Sequence, residues 1–191
     1  MTQSIGIIGC GHLGRIISSA YQNGFLSGYT LKGAYSHKLI DAEELCKGTD
    51  GIACSTIDEL LALKPDFLVE TASVAIAKDV SIKALKMGIS FIPLSVGAFA
   101  DPEFYQEAQA AAIEGSSRLY IPSGAVGGFD MFRTVSLMAE AEHLPLKTGI
   151  ATRKGPVSLK NTPLYEESLE HTEKEVLHGT AEEAIKVLPA K

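Results

Sequence analysis

Gly9-Cys10-Gly11-His12-Leu13-Gly14 lies between a short apolar run, Ile5-Gly6-Ile7-Ile8, and a stretch of helical spacing. A G-x-G-x-x-G pattern alone is weak, because glycines also serve ordinary turns. Placed directly after a strand and at the start of a helix, it specifies a β-α unit that binds a dinucleotide. Gly9 permits the tight turn, Gly11 lets the backbone approach a diphosphate, and Gly14 lets the helix pack closely on the sheet. The free N–H groups and positive dipole end of that helix then face the phosphates. Gly9, Gly11, His12, Leu13 and Gly14 are therefore the first cofactor-binding candidates.

The rest of the first half repeats the alternation of apolar runs and amphipathic stretches, the pattern of a parallel sheet wrapped by helices. Leu13, Ile16, Ile17 and Ala20 form the expected apolar stripe of the first helix. Strands are expected at Thr30 to Tyr35, Ile52 to Cys54, Phe67 to Val69, Phe91 to Leu94 and Leu119 to Ile121. Helices are expected around Leu39 to Lys47, after Thr56, over Val74 to Met87 and from Pro102 to about Ile113. Thr56 with Glu59 fits a capping box, and Asp101-Pro102 suits an N-cap and first helical position.

After Pro122 the rhythm changes. A glycine-rich segment, Ser123 to Gly128, leads into a helix near Phe129 to Ala141, and strand-like stretches follow at Gly149 to Thr152 and Glu175 to Leu177. Thr180 and Glu183 fit a capping box for a last helix. The expected class is α/β: a doubly wound Rossmann sheet over residues 1–122, then a second, incomplete α/β catalytic and dimerisation domain over 123–191.

The formal net charge of −6 repels phosphate backbones, so no nucleic-acid partner is expected. No apolar run has the length of a membrane span, and the N-terminal residues lack the basic region of a signal peptide. Cys10, Cys46 and Cys54 form no zinc spacing, so no metal is expected and reduced thiols in the cytoplasm are the plain reading.

An NAD-selective site places an acidic residue about 20 residues beyond the glycines, on the ribose hydroxyls. This chain instead reads Ser36-His37-Lys38 after the second strand. A hydroxyl and a cation there suit a 2′-phosphate, so either NAD or NADP is expected, with NADP accepted. A solvated polar loop is the alternative.

Several further segments together resemble the L-aspartate dehydrogenase family. They are Val69-Glu70-Thr71-Ala72-Ser73, Leu94 to Asp101, Pro122 to Asp130, Thr152 to Pro156 and His178 to Ala184, in order along the whole chain. The resemblance implies an NAD(P)-dependent oxidation of L-aspartate to iminoaspartate, which can feed NAD biosynthesis or hydrolyse to oxaloacetate and ammonia, in a homodimer. It places Ala72, Ser73 and Ala125 on cofactor-contacting segments and Ser95 to Ala98 at the nicotinamide end. Ser95, Gly97, Ser123 and Gly124 follow expected strands, and small residues there leave room for a flat ring and a small substrate, or allow close packing. Arg153 and Lys154 are candidates for gripping two carboxylates, or belong to a solvated strand end.

The family carries an Asn where Lys191 stands and a catalytic histidine beyond it, so the resemblance implies that the chain lacks that base. His12, His37, His143, His171 and His178 are expected to be exposed or structural. A positioned base typically contributes about 10²–10⁴-fold, so slow turnover is expected from this reading. A non-catalytic nicotinamide-binding module, or a Rossmann dehydrogenase for another small acid, are the alternatives.

Overall fold

The computed structural model describes residues 2–124 and 127–188. The chain divides into two compact units that part between Pro122 and Ser123.

In the first unit the strands are β1 (Gln3–Ile8), β2 (Tyr29–Tyr35), β3 (Ile52–Cys54), β4 (Phe67–Glu70) and β5 (Ser90–Pro93). All pair in parallel in the order β3-β2-β1-β4-β5. The order reverses at β1 and β4, where connections leave to opposite sides and open a crevice at the carboxyl edge. The helices are α1 (His12–Gln22), α2 (Leu39–Cys46), α3 (Ile57–Ala62), α4 (Val74–Lys86) and α5 (Pro102–Glu114). A 3-10 turn, Val96–Ala100, lies between β5 and α5.

Strand periodicity divides the core between the two faces. Ile5, Ile7, Leu31 and Val69 pack with Ala42 and Leu45 on one side, while Ile8, Leu68 and Phe91 pack with Leu60, Val80, Leu85 and Ala108 on the other. Helix ends follow local chemistry. Thr56, Ser73 and Asp101 accept hydrogen bonds from first-turn amides of α3, α4 and α5, and Gly88 leaves α4 at φ +82°.

Two expectations for this unit need correction. Leu13 and Ile16 are 48% and 51% exposed, and α1 turns Gly14, Ile17, Ser18 and Tyr21 toward the sheet instead. The rotation is set by Gly14, which must lie against the turn at Gly9, and by Ser18, whose hydroxyl donates to the Leu45 carbonyl at 2.9 Å. Small residues thus outrank large ones on the contact face. Leu119 makes only a single parallel bridge with Phe91 rather than opening a sixth strand. Tyr120 and Ile121 are exposed, and Pro122 then offers no backbone donor.

A clasp closes the amino ends of the two central strands. The Asp66 carboxylate accepts from the Ser4 amide and hydroxyl, both at 2.7 Å, and the Ser4 hydroxyl accepts from the Asp66 amide at 3.1 Å. These Ser4 donors hold the Asp66 carboxyl below its ordinary value. A depressed carboxyl stabilises the fold above its unfolded value, near ~3.9, and loses that contribution as pH falls through the lower folded value. Ser4→Ala is therefore expected to lower urea stability at about pH 6 by under about 1 kcal/mol, because Asp66 is exposed, with the gap closing toward about pH 2. A gap unchanged by pH would contradict this.

The second unit contains α6 (Phe129–Ala141), α7 (Ala181–Val187) and 3-10 turns at Pro156–Leu159 and Glu167–Glu170. Thr180 and Glu183 form the reciprocal capping box at α7. The strand-like stretches at 149–152 and 175–177 are not strands, and no residue described in this unit is buried. Their apolar alternation has no neighbouring strand here to satisfy its backbone groups.

Candidate functional site

The carboxyl edge of the first unit brings together the glycine loop, the loop after β4 and the loop after β5. β1 ends at Ile8, and the next amide, that of Gly9, donates to the Tyr35 carbonyl at 2.9 Å, tying the turn to the end of β2. Gly9 has φ +93°, and a Cβ there would stand 2.8 Å from the Ala72 amide nitrogen. A Cβ on Gly14 would overlap the Gly9 carbonyl oxygen. Both are close backbone approaches that only glycine allows.

Gly11 differs. It is the N-cap of α1, with φ −77°, and a Cβ on it would meet nothing within 4 Å. No described atom lies where a side chain would stand, which leaves that space open. No side chain caps α1, and its first turn holds no acidic residue. An exposed, uncapped helix start beside a residue without a side chain fits a diphosphate by geometry and charge. His12 and Leu13 are exposed at this mouth.

Thr71, which sequence reasoning did not single out, locks the loop in place. Its hydroxyl lies 3.1 Å from the Ile8 carbonyl and 2.5 Å from that of Gly9, and its amide donates to Ile8 at 2.8 Å. Arg15 also escaped notice: its Nε donates to the Cys10 carbonyl at 3.2 Å, and its guanidinium pairs with Asp41 at 3.6 Å. Inside the loop the Cys10 thiol is buried and donates to the Tyr35 carbonyl. Burial, then the neighbouring Cys46 and Asp41, push that thiol up to about 12, which makes it a packing group rather than a nucleophile.

From sequence alone Glu70, the last residue of β4, either orients a loop or faces solvent. It is 0% exposed. One carboxylate oxygen accepts from the Ala72 amide at 2.6 Å, the Ser73 amide at 2.8 Å and the Ser95 hydroxyl at 3.0 Å. The other accepts from the Ser95 amide at 3.2 Å. The available signal was an acid ending the apolar run Phe67-Leu68-Val69 directly before small residues.

Ser73 additionally caps α4, accepting from the Ile76 amide at 3.3 Å. Ser95 is turned inward to Glu70, so its hydroxyl holds a loop instead of standing free, while Gly97 is exposed. Ser36, His37 and Lys38 follow β2 at the same sheet edge, with His37 and Lys38 exposed and no carboxylate among the three.

The remaining candidates lie in the second unit. Ser123 and Gly124 are exposed, the latter at φ +66°. Ala125 falls outside the described residues. The Arg153 guanidinium is exposed and engaged in an ion pair with the Glu173 carboxylate. Lys154 is exposed. Of the histidines, His178 hydrogen-bonds Glu175 at 2.9 Å.

Residues 9–122 match the family described as "Homoserine dehydrogenase, NAD binding domain". An L-aspartate dehydrogenase of Methanococcus maripaludis (strain C5) is 34% identical over 189 residues, covering 97% of this chain and 68% of that protein. Another, from Methanosarcina mazei, is 37% identical over 196 residues, with 97% and 69% covered. Among solved structures, aspartate dehydrogenase from Thermotoga maritima superposes with a TM-score of 0.53 at 21% identity, covering 83% of this chain and 67% of that one. The WlbA dehydrogenase from Bordetella pertussis, solved with NADH and UDP-GlcNAcA, gives 0.55 at 16% identity, covering 73% and 43%. At those identities the structures show a shared fold, whereas the sequence relatives and the glycine-bounded helix start together decide the family. The chain belongs to the L-aspartate dehydrogenase family of NAD(P)-dependent oxidoreductases, with the NAD-binding domain in its first unit.

Proposed function

We propose that the protein oxidises L-aspartate to iminoaspartate, which hydrolyses to oxaloacetate and ammonia. The observation that supports this most directly is the uncapped start of α1 at Gly11, beside the crevice between β1 and β4, in a chain whose relatives are L-aspartate dehydrogenases. A bound nicotinamide supplies the two-electron acceptance that amine oxidation requires.

In this reading residues 1–122 hold the cofactor and 123–191 contribute to catalysis and to a cytoplasmic homodimer. The α1 amides of His12 to Gly14 neutralise the diphosphate, with Gly9 and Gly11 giving it access. Ala72 and Ser73 lie along the cofactor's path, and Ser95 and Gly97 border the nicotinamide end. Arg153, exchanging its Glu173 partner for substrate, offers a bidentate fork and Lys154 a point charge to the carboxylates of aspartate, with Ser123 and Gly124 leaving room for it. Ser36 and Lys38 receive a 2′-phosphate. Lys38→Ala is accordingly expected to weaken NADPH about tenfold and NADH little, the scale of one hydrogen bond to a charged group.

The reaction is tested by adding L-aspartate to the chain with NAD⁺ or NADP⁺ and following absorbance of the reduced cofactor. Aspartate-dependent reduction, absent with L-alanine, is expected. Saturable cofactor binding without reduction by aspartate, both in this chain and in one extended to the length of its relatives, would overturn the reaction and leave a binding module. Light scattering in the same buffer reports whether the chain is dimeric.

A further inference from the structure

Glu70 presents a question that the fold alone does not answer. A carboxylate at a fully buried position is costly unless every lone pair finds a donor, and a hydrophobic residue would fill the space more cheaply. Its four donors are all uncharged: the amides of Ala72, Ser73 and Ser95 and the Ser95 hydroxyl, between 2.6 and 3.2 Å away. Ala72 and Ser73 are exposed residues, so water could satisfy their amides without help from the interior. What the carboxylate adds is a connection. Among the described residues it is the side chain that grips the loop after β4 and the loop after β5 together.

Its position in the sheet extends that connection. In register, Glu70 faces Ile8 of β1 on one side and Pro93 of β5 on the other. Thr71, the next residue, hydrogen-bonds the Ile8 and Gly9 carbonyls at the root of the glycine loop. The Leu94 amide donates to the Glu70 carbonyl at 2.7 Å. Glycine loop, β4 loop and β5 loop are therefore fastened at one junction, on the edge where an open α/β sheet binds its ligand.

We infer that Glu70 is the positioning residue for the nicotinamide end of the site: by tying Ala72 and Ser73 to Ser95, it holds the two loops bordering that end in one fixed arrangement. This rests on the cofactor reading above. Glu70 touches neither cofactor nor substrate in this role, because its oxygens are already engaged. It lowers the ordering cost of binding by preorganising the loops that do.

The inference separates the two ends of the dinucleotide. ADP-ribose carries the diphosphate and adenosine but no nicotinamide, so it reports on the glycine loop and the adenosine end and not on the nicotinamide end. Glu70→Gln keeps the shape and loses the charge, and its amide nitrogen cannot accept from the Ser95 amide. Affinities for NADH and ADP-ribose are measured by titration on the wild-type chain, on Glu70→Gln and on Ser95→Ala. Glu70→Gln is expected to weaken NADH about tenfold, and ADP-ribose less than about twofold. Ser95→Ala removes one of the four hydrogen bonds and no charge, so a smaller shift of about threefold in the same ratio is expected. It decides the matter if Glu70→Gln does not fold. An NADH to ADP-ribose ratio that stays at the wild-type value in the folded variants, whether both affinities fall together or neither moves, would overturn the inference and leave Glu70 a purely structural residue. A wild-type chain that binds neither ligand would instead overturn the cofactor reading, and this inference with it.

Discussion

Gly11→Ala is expected to weaken NADH and NADPH about 100-fold while the protein melts almost unchanged. The two halves of that expectation come from the same geometry. An added Cβ meets no described atom within 4 Å, and the backbone at Gly11 is extended, φ −77° and ψ −155°, without the positive φ that excludes side chains. At an N-cap, alanine is worse than glycine by no more than about 1 kcal/mol. The methyl group instead occupies the space by which a diphosphate reaches the first-turn amides, and losing that approach is assigned about 2.7 kcal/mol, the equivalent of 100-fold. Binding by calorimetry and Tm by scanning calorimetry on the same preparation check it. Equal affinities for variant and wild type would contradict the account, since glycine would then have no ligand-related reason to be there.

Gly14→Ala is expected to fail in the opposite sense, through the fold. Here the added Cβ overlaps the Gly9 carbonyl oxygen and lies 3.2 Å from its carbon and 3.3 Å from the Thr71 hydroxyl. These are mostly backbone atoms, which cannot rotate away, so α1 must lift from the sheet. Alanine gains up to about 1 kcal/mol over glycine within a helix. Overpacking against a rigid neighbour costs typically about 1–3 kcal/mol and occasionally more, so the clash outweighs the propensity. A net loss of about 1–2 kcal/mol corresponds to a Tm lower by roughly 2–8 °C for a chain of this size. Lifting α1 also displaces the amides, so cofactor binding falls with stability. A variant that melts with the wild type would show that α1 does not sit against the turn as described.

The contrast between these two glycines shows what could be read from residues alone. The strand–glycine–helix order and the turn chemistry of Asp101-Pro102, Thr180 and Gly88 are local, so β1, α1, α4, α5 and α7 were legible with their approximate ends. The rotation of α1 was not. Leu13 and Ile16 obey helical periodicity as well as Ile17 does, and only the close seat of Gly14 and Ser18 decides which face lies on the sheet. Strand-like alternation at 149–152 misled for a related reason: alternation states a preference, whereas a strand also needs a partner, and none lies beside it among the described residues.

In the candidate site, residues whose role is written in their type were visible, and those whose role depends on a distant partner were not. Gly9 and Gly11 announce themselves by spacing. Glu70 in the sequence is open to orienting a loop or facing solvent, and the choice falls to the loop only when Ser95, 25 positions away along the chain, is brought to within hydrogen-bonding distance. Thr71 is similar, reaching the Gly9 carbonyl 62 positions back. Parallel sheets place such partners side by side through long crossovers, which local pattern cannot anticipate.

The central claim is that the bare amides at the start of α1 hold the diphosphate of a nicotinamide dinucleotide. Calorimetric titration of the folded wild-type chain with NADH and NADPH addresses it most directly. The account predicts saturable binding at one site per chain by at least one of the two, displaced by ADP-ribose. A flat titration with both, in protein that still melts cooperatively, would contradict it.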